Sequence, residues 1–526
     1  MNKRKIDLGN TSLGIEFGST RIKGVLIHDS GEVLSVGNHD WENQLIDGIW
    51  TYDLKDVWKG VQDVYAQIKA DIENRFETKI EKLGSIGFSA MMHGYLPFDK
   101  KGNLLVPFRT WRNAITAEAE KKLTSLFKHN IPQRWSIAHL YQAILNEEEH
   151  VSDVDFLTTL AGYVHWKLTD EKVLGINDAS GMFPIDSTTH TYNQEMLDIF
   201  DGLLVDSGFD FKTINILPTP LMAGELAGRL TQEGALLLDP SGDLKSGVPL
   251  APPEGDAGTG MVATNAIRPR TGNISAGTSV FAMFVLEKPL EKVYPEIDIV
   301  TTPAGESVAM VHVNNCTTEI NAWVNLFGDF AARIGSDISS SELYETLFNA
   351  ALESDEGLEG LLTYGYHSGE NITGLDEGRP LVVRKPDAKF TLANFMRSLI
   401  ESAFATLSIG MRILYNENIK IESIVGHGGI FKTEGVAQRI VANALKSKLV
   451  IMDTASEGGA WGMAVLAQYL IRKEEMSLDD YLNKEIFDGV NMIEYSPSKE
   501  EIEAFEKFVQ RYEKGLEIEK SAVNHF

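Results

Sequence analysis

The stretch SLGIEFGSTRIKGVLIHDSGEVL, residues 12–34, carries the first decision about the fold. Leu13, Ile15 and Phe17 alternate with small or polar residues, the period of a half-buried strand. Val25, Leu26 and Ile27 form the next apolar run. Between the two lies Gly18-Ser19-Thr20, a tight turn rich in backbone N–H groups and hydroxyls. Such a turn closes a hairpin, and it can also hold a phosphate. Glu16 just before it and Lys23 just after add one charge of each sign.

The chain around this turn has 526 residues, more than one hydrophobic core organises, so two or three domains are expected. Its 43% apolar content is ordinary for a globular protein. A formal net charge of −27 argues against nucleic acid or an anionic membrane as a standing partner. An anionic ligand would need a locally positive or N–H-lined pocket. Cys316 is the only cysteine, which rules out an intrachain disulfide and suits a reducing compartment. The N-terminal MNKRKIDLGNTS has no apolar run of the signal-peptide kind, and no stretch reaches the roughly 18–20 apolar residues of a membrane span. A cytoplasmic protein is expected.

Residues 52–75 read as a helix, with Val57, Val61, Val64, Ile68 and Ile72 at three- and four-residue spacing. Strands and helices alternate along the rest of the chain, which makes the class α/β. About half a chain after the first turn, GNISAGTSVFAMFVL repeats its pattern: an apolar strand, Gly277-Thr278-Ser279, and another apolar strand. That distance is what a duplicated domain would give.

Two further stretches carry chemistry. In PPEGDAGTGMVATNA, Asp256 sits among Gly255, Gly258 and Gly260, where backbone can approach a ligand closely. Its carboxylate can accept a proton from an alcohol, help hold a metal ion, or cap a helix starting near Ala257. In VGHGGIFKTEGVAQRIVANAL, an apolar strand ends in Gly426-His427-Gly428-Gly429 and a helix follows, a junction that admits a flat ligand or a phosphate. The chain contains no GxxxxGK[ST] loop, no GxSxG elbow and no zinc-ligand spacing.

Taken in order, these segments resemble the FGGY carbohydrate kinases of the sugar kinase, actin and Hsp70 ATPase superfamily. GIEFGSTRIKGVLI resembles the first phosphate loop, GFSAMMHGYLPFD the sugar-site segment, and FRTWRNAIT the W-x-D-x-R segment after it. GDAGTG resembles the segment of the catalytic aspartate, GNISAGTSV the second phosphate loop, and GHGGIFK the adenosine loop. Met92-His93-Gly94 tilts the resemblance toward xylulokinase-like members.

The resemblance implies two ribonuclease H-like (actin-like ATPase) domains facing each other across a cleft. Residues 1–265 would form the N-terminal domain, with the sugar site and first phosphate loop. Residues 266–526 would form the C-terminal domain, with the second loop and the adenosine site. It implies an ATP-dependent kinase that phosphorylates a terminal hydroxyl of a small ketose, a pentulose such as xylulose. Asp256 would be the general base. Met92, His93, Trp111, Asn113 and Asp256 would meet the sugar. Gly18, Ser19, Thr20, Lys23, Gly277, Thr278, Gly428 and Gly429 would serve ATP, and Glu16 with Asp256 would hold Mg²⁺. A homodimer is a further family-level expectation.

This sequence departs from the family pattern at several positions. Glu16 and Asn113 stand where the family usually has Asp; Arg112 precedes Asn113, and Thr116 lies three beyond it. Ala90 and Met91 replace polar positions, and Asn371, in GYHSGENITGLDEGRP, stands at an Arg position. These departures motivate an alternative, a catalytically lapsed sugar-binding or regulatory protein on the same fold.

Overall fold

In a computed structural model the described residues are 8–452 and 458–526. They form two compact units. The first takes in Met1–Arg268, Asp298–Val308 and Thr454–Gly489, and the second Pro269–Ile297, Ala309–Asp453 and Val490–Phe526, so far as those residues are described.

The first unit is built on the opening stretch. β1 (Ser12–Phe17) and β2 (Arg21–Ile27) pair antiparallel through the Gly18–Thr20 turn, with Glu16 opposite Lys23. β3 (Val33–Asp40) extends this meander antiparallel to β2, and the short hairpin β4 (Gln44–Ile46) and β5 (Ile49–Thr51) follows. On the other side of β1, β6 (Ser85–Ala90) pairs parallel to it, and β7 (Glu254–Gly255) pairs parallel to β6. The order β7-β6-β1-β2-β3 is that of a ribonuclease H-like sheet.

Helix α1 (Leu54–Phe76) occupies the predicted span, capped by the Asp53 carboxylate on the Lys55 amide. Its stripe Val57, Val61, Val64, Ile68 and Ile72 is buried. The β1 pattern predicts a half-buried strand, and here the structure differs. Gly14 faces the helix Gly458–Arg472 so closely that a Cβ would lie 2.3 Å from the Ala460 carbonyl oxygen. The strand is therefore covered on both faces. The lack of a side chain at Gly14, which leaves no mark in an apolar/polar alternation, is what admits the helix.

The second unit repeats the plan. β8 (Thr271–Ala276) and β9 (Val280–Val285) pair antiparallel through the Gly277–Ser279 turn. β10 (Ser307–Val313) lies beyond β9, while β11 (Ser423–His427) and β12 (Lys448–Met452) continue parallel on the other side of β8. β13 (Met492–Tyr495) closes that edge antiparallel to β12. The two glycine turns thus occupy the same place, between the first and second strands of each sheet. Helix α3 (Thr317–Arg333) starts beside the second turn, and α4 (Ser340–Ala350) follows it. The C-terminal helix Lys499–His525 buries Phe505, Phe508 and Val509, while Ile502 is only half-buried.

Candidate active site

Asp256 is the first residue of helix α2 (Asp256–Ala263), directly after β7, and Gly255 rather than Asp256 is the N-cap. The Asp256 carboxylate accepts from the Met92 amide at 3.1 Å and from the Ala257 amide at 3.0 Å. Met92 lies just past the end of β6, so two neighbouring parallel strands set the carboxylate's position. Asp256 is exposed to solvent, and the protein around its recess raises its pKa above 3.8, partly offset by those N–H donors.

Glu16, half-buried near the end of β1, is close enough to feel the Asp256 charge. Burial, then that like charge, pushes its pKa up to about 8; Lys23 and the hydroxyls of Thr259 and Ser89 pull the other way. Glu16 Oε2 lies against Gly459 at the start of the helix Gly458–Arg472, where a Cβ would be 1.6 Å from it.

Behind Asp256 sits a second, wholly buried carboxyl pair. The Asp178 amide donates to Glu254 Oε2 at 3.3 Å, and Thr159 Oγ1 donates to Asp178 Oδ2 at 2.6 Å. Burial pushes Asp178 up to about 8 and Glu254 well above its ordinary value, each aided by a neighbouring carboxylate.

His93 lies beside Met92, in left-handed backbone (φ 71°), and is 5% exposed. Its Nδ1 sits 3.1 Å from the Gly181 carbonyl, and its ring stacks with Trp135. Because a carbonyl only accepts, Nδ1 carries the proton and Nε2 is left as an acceptor. Burial holds the ring neutral. Trp111 is exposed, while Arg112 stacks 3.9 Å over Trp50. Asn113 departs from the expected sugar contact. It is 2% exposed; its Oδ1 accepts from the Trp50 amide at 2.9 Å, and its Nδ2 donates to the Trp50 and Thr110 carbonyls at 2.8 and 2.9 Å. Both donors are spent on backbone, and the side chain fastens β5.

The Gly18–Thr20 turn is closed by Gly18 N–H on the Arg21 carbonyl, 2.9 Å. Among the described residues no acceptor is bonded to the Ser19 or Thr20 amide. In the second unit, the Gly277 and Thr278 carbonyls accept from the Thr317 and Cys316 amides at the start of α3. Gly428, at φ 125°, packs so tightly on Ala276 that a Cβ would lie 2.1 Å from its carbonyl oxygen, which joins the two glycine segments of this unit. Beside them opens a cavity of about 670 Å³, lined by Gly277, Gly429, Ile430, Ile320, Tyr344 and Phe348 among others. Its size and mixed apolar and polar walls suit a nucleoside.

The structure therefore brings Glu16, Lys23, Met92, His93 and Asp256 together in the first unit. In the second it sets Gly277 and Gly429 in the wall of one cavity, while Thr278 and Gly428 are their chain neighbours and do not line it. Sequence reasoning missed Ser89, Thr259, Asp178 and Glu254 around the carboxylates, and Tyr344 and Phe348 in the cavity. Ser89, Thr259 and Glu254 lie inside stretches already singled out. The α4 residues carry no signal beyond an ordinary amphipathic helix.

Two sheets that share a five-strand core order, each with a glycine turn between its first two strands, have the fold of the actin-like ATPase class. Residues 11–260 match the N-terminal domain of the FGGY family of carbohydrate kinases, and residues 272–471 its C-terminal domain. The chain belongs to the FGGY family of carbohydrate kinases and is an ATP-dependent sugar phosphotransferase. Xylulose kinase of Haemophilus influenzae is 23% identical over 73% of this chain and 75% of its own length. Xylulose kinase of Escherichia coli is 21% identical over 89% and 91%. Among solved structures, a ligand-bound xylulose kinase from Lactobacillus acidophilus superposes with TM-score 0.77 at 19% identity, covering 98% of both chains. Plasmodium falciparum glycerol kinase with ADP superposes with TM-score 0.75 at 14% identity, covering 96% of this chain and 98% of that one. No helix among the described residues is long and apolar enough to cross a membrane.

Proposed function

We propose that this chain phosphorylates the terminal hydroxyl of a xylulose-like pentulose with ATP, and that Asp256 is its general base. The observation that carries the mechanism is the Asp256 carboxylate, solvent-accessible and fixed by the Met92 and Ala257 amides. The substrate class rests on the xylulose kinase relatives. Asp256 accepts the hydroxyl proton as the sugar oxygen attacks the γ-phosphorus; the β–γ bond breaks, ADP leaves, and the proton passes to solvent. Such transfer is chiefly positioning and charge neutralisation.

In the first unit the Ser19 and Thr20 amides with Lys23 serve phosphate; in the second, the Gly277–Thr278 turn serves phosphate and Gly429, next to Gly428, borders the adenosine cavity. His93 Nε2 accepts from a sugar hydroxyl, and Met92 and Trp111 wall the sugar. Glu16 and Asp256 fit a divalent cation: they are two carboxylates close enough that one raises the other's pKa, a repulsion such a cation relieves. Mg²⁺ needs only one or two carboxylates beside water and phosphate oxygens. When bound, it supplies charge neutralisation to the transferring group.

The test is ADP release by the purified chain with Mg-ATP and a panel of pentuloses, hexuloses, polyols and aldoses. One ketopentose should stimulate release strongly, and Asp256→Asn should lower that turnover by about 10²–10⁴-fold with ATP still bound. Full turnover by Asp256→Asn would reject the mechanism. Sugar binding without any phosphoryl transfer would favour the lapsed alternative.

A further inference from the structure

Every carbonyl of the Gly18–Thr20 turn accepts from Trp41 or Tyr52. The Trp41 indole N–H donates to the Gly18 carbonyl at 2.7 Å, the Tyr52 hydroxyl to the Ser19 carbonyl at 2.6 Å, and the Trp41 amide to the Thr20 carbonyl at 3.1 Å. Trp41 follows β3 directly and Tyr52 follows β5. Their rings stack at 4.1 Å and 23°, flanked by Phe17 and Phe108. Both side chains are buried, at 7% and 3% exposure. Burial pushes the Tyr52 phenol up to about 12, so it remains a donor.

A peptide carbonyl presents negative charge and an amide positive charge. A turn can cradle an anion only if its amides, not its carbonyls, face the ligand. We propose that Trp41 and Tyr52 are positioning residues for phosphoryl transfer: by holding the three carbonyls away, they commit the Ser19 and Thr20 amides to the phosphates of ATP. The second turn solves the same problem differently, with the Cys316 and Thr317 amides of α3 on the Thr278 and Gly277 carbonyls. In the first turn no helix end is used, and two aromatic donors replace it.

This inference rests on the phosphate-loop reading above, and its test separates the two. Tyr52→Phe keeps the ring and removes one donor; Trp41→Phe keeps an aromatic ring and removes the other. Calorimetric titration of the full chain with ATP and with adenosine, together with KM for ATP and for the sugar, reads the effect. Each variant should bind ATP about tenfold more weakly, since one hydrogen bond is worth roughly that factor. Adenosine affinity and sugar KM should be unchanged. Wild-type ATP affinity in both variants would overturn the proposal. So would equal losses for ATP and adenosine, which would mean a merely structural role. If the wild-type chain itself bound ATP no more tightly than adenosine, the phosphate-loop reading would fall, and the proposal with it.

Discussion

Asn113 shows how a single residue can keep its place in a motif and change its work. Its amide bridges the Trp50 and Thr110 backbone, and an amide suits that place because it both donates and accepts. An aspartate there would set carboxylate oxygens against two carbonyls. Asn113→Asp should therefore destabilise the chain by about 1–3 kcal/mol in urea unfolding, the cost of buried groups left unpaired. The Trp50 pairing could not be foreseen from FRTWRNAIT, because Trp50 lies on β5, far away in sequence; only the Thr110 carbonyl is local. Asp178 gives a second residue-scale outcome, in pH. Its pKa is about 8 folded against an ordinary 3.8, so between those values the folded chain holds a proton that the unfolded chain lacks. Its contribution makes stability fall as pH rises through that window, with a slope of up to about 1.4 kcal/mol per pH unit, and flatten above pH 8. Asp178→Asn should flatten that part of the profile and raise the melting temperature at pH 8–9 relative to wild type. An unchanged difference between variant and wild type across pH 4–9 would show that Asp178 is ionised in the fold.

At the scale of elements, the strand–turn–strand of residues 12–27 was legible because apolar alternation and a glycine turn are local properties. So was α1, whose stripe lies in one unbroken window. What covers β1 was not legible, because the covering helix comes more than four hundred residues later. The contact is backbone on backbone: a Cβ on Gly14 would meet the Ala460 oxygen and the Ala464 nitrogen, both at 2.3 Å, and neither can rotate aside. Gly14→Ala should thus cost about 1–3 kcal/mol or more, seen as a lower urea midpoint. Because Glu16 lies two residues along the same strand and touches Gly459 on the same helix, sugar-dependent ADP release should fall too. Gly260→Ala is the control, since a Cβ there meets nothing within 4 Å. The clamp on the first glycine turn was likewise hidden: Trp41 and Tyr52 read as ordinary aromatics near strand ends, and only the folded hairpin turns their donors onto the turn.

At the scale of the molecule, the division we propose from the sequence, 1–265 and 266–526, follows the repeat of the glycine turns. The packing adds that the chain returns to the first unit near its end. The helix Gly458–Arg472 buries Trp461, Met463, Val465, Leu466 and Tyr469 there, and its Trp461 indole donates to the Gly31 carbonyl at 2.9 Å. Five large apolar side chains at about 1.5–3 kcal/mol each come to on the order of 10 kcal/mol, an upper estimate. That equals the whole net stability of a typical domain, about 5–15 kcal/mol. A chain ending at Arg268 lacks this helix and exposes the β1 face that Gly14 keeps open for it. It should therefore show no cooperative thermal transition in near-ultraviolet circular dichroism, although it carries the sugar-site segment, the first phosphate loop and Asp256. Adding a polypeptide spanning 458–489 in trans should restore part of that transition. If the shortened chain instead melts cooperatively near the temperature of the full chain, the returning helix is dispensable to the first unit, and its contact with Gly14 contributes little to stability.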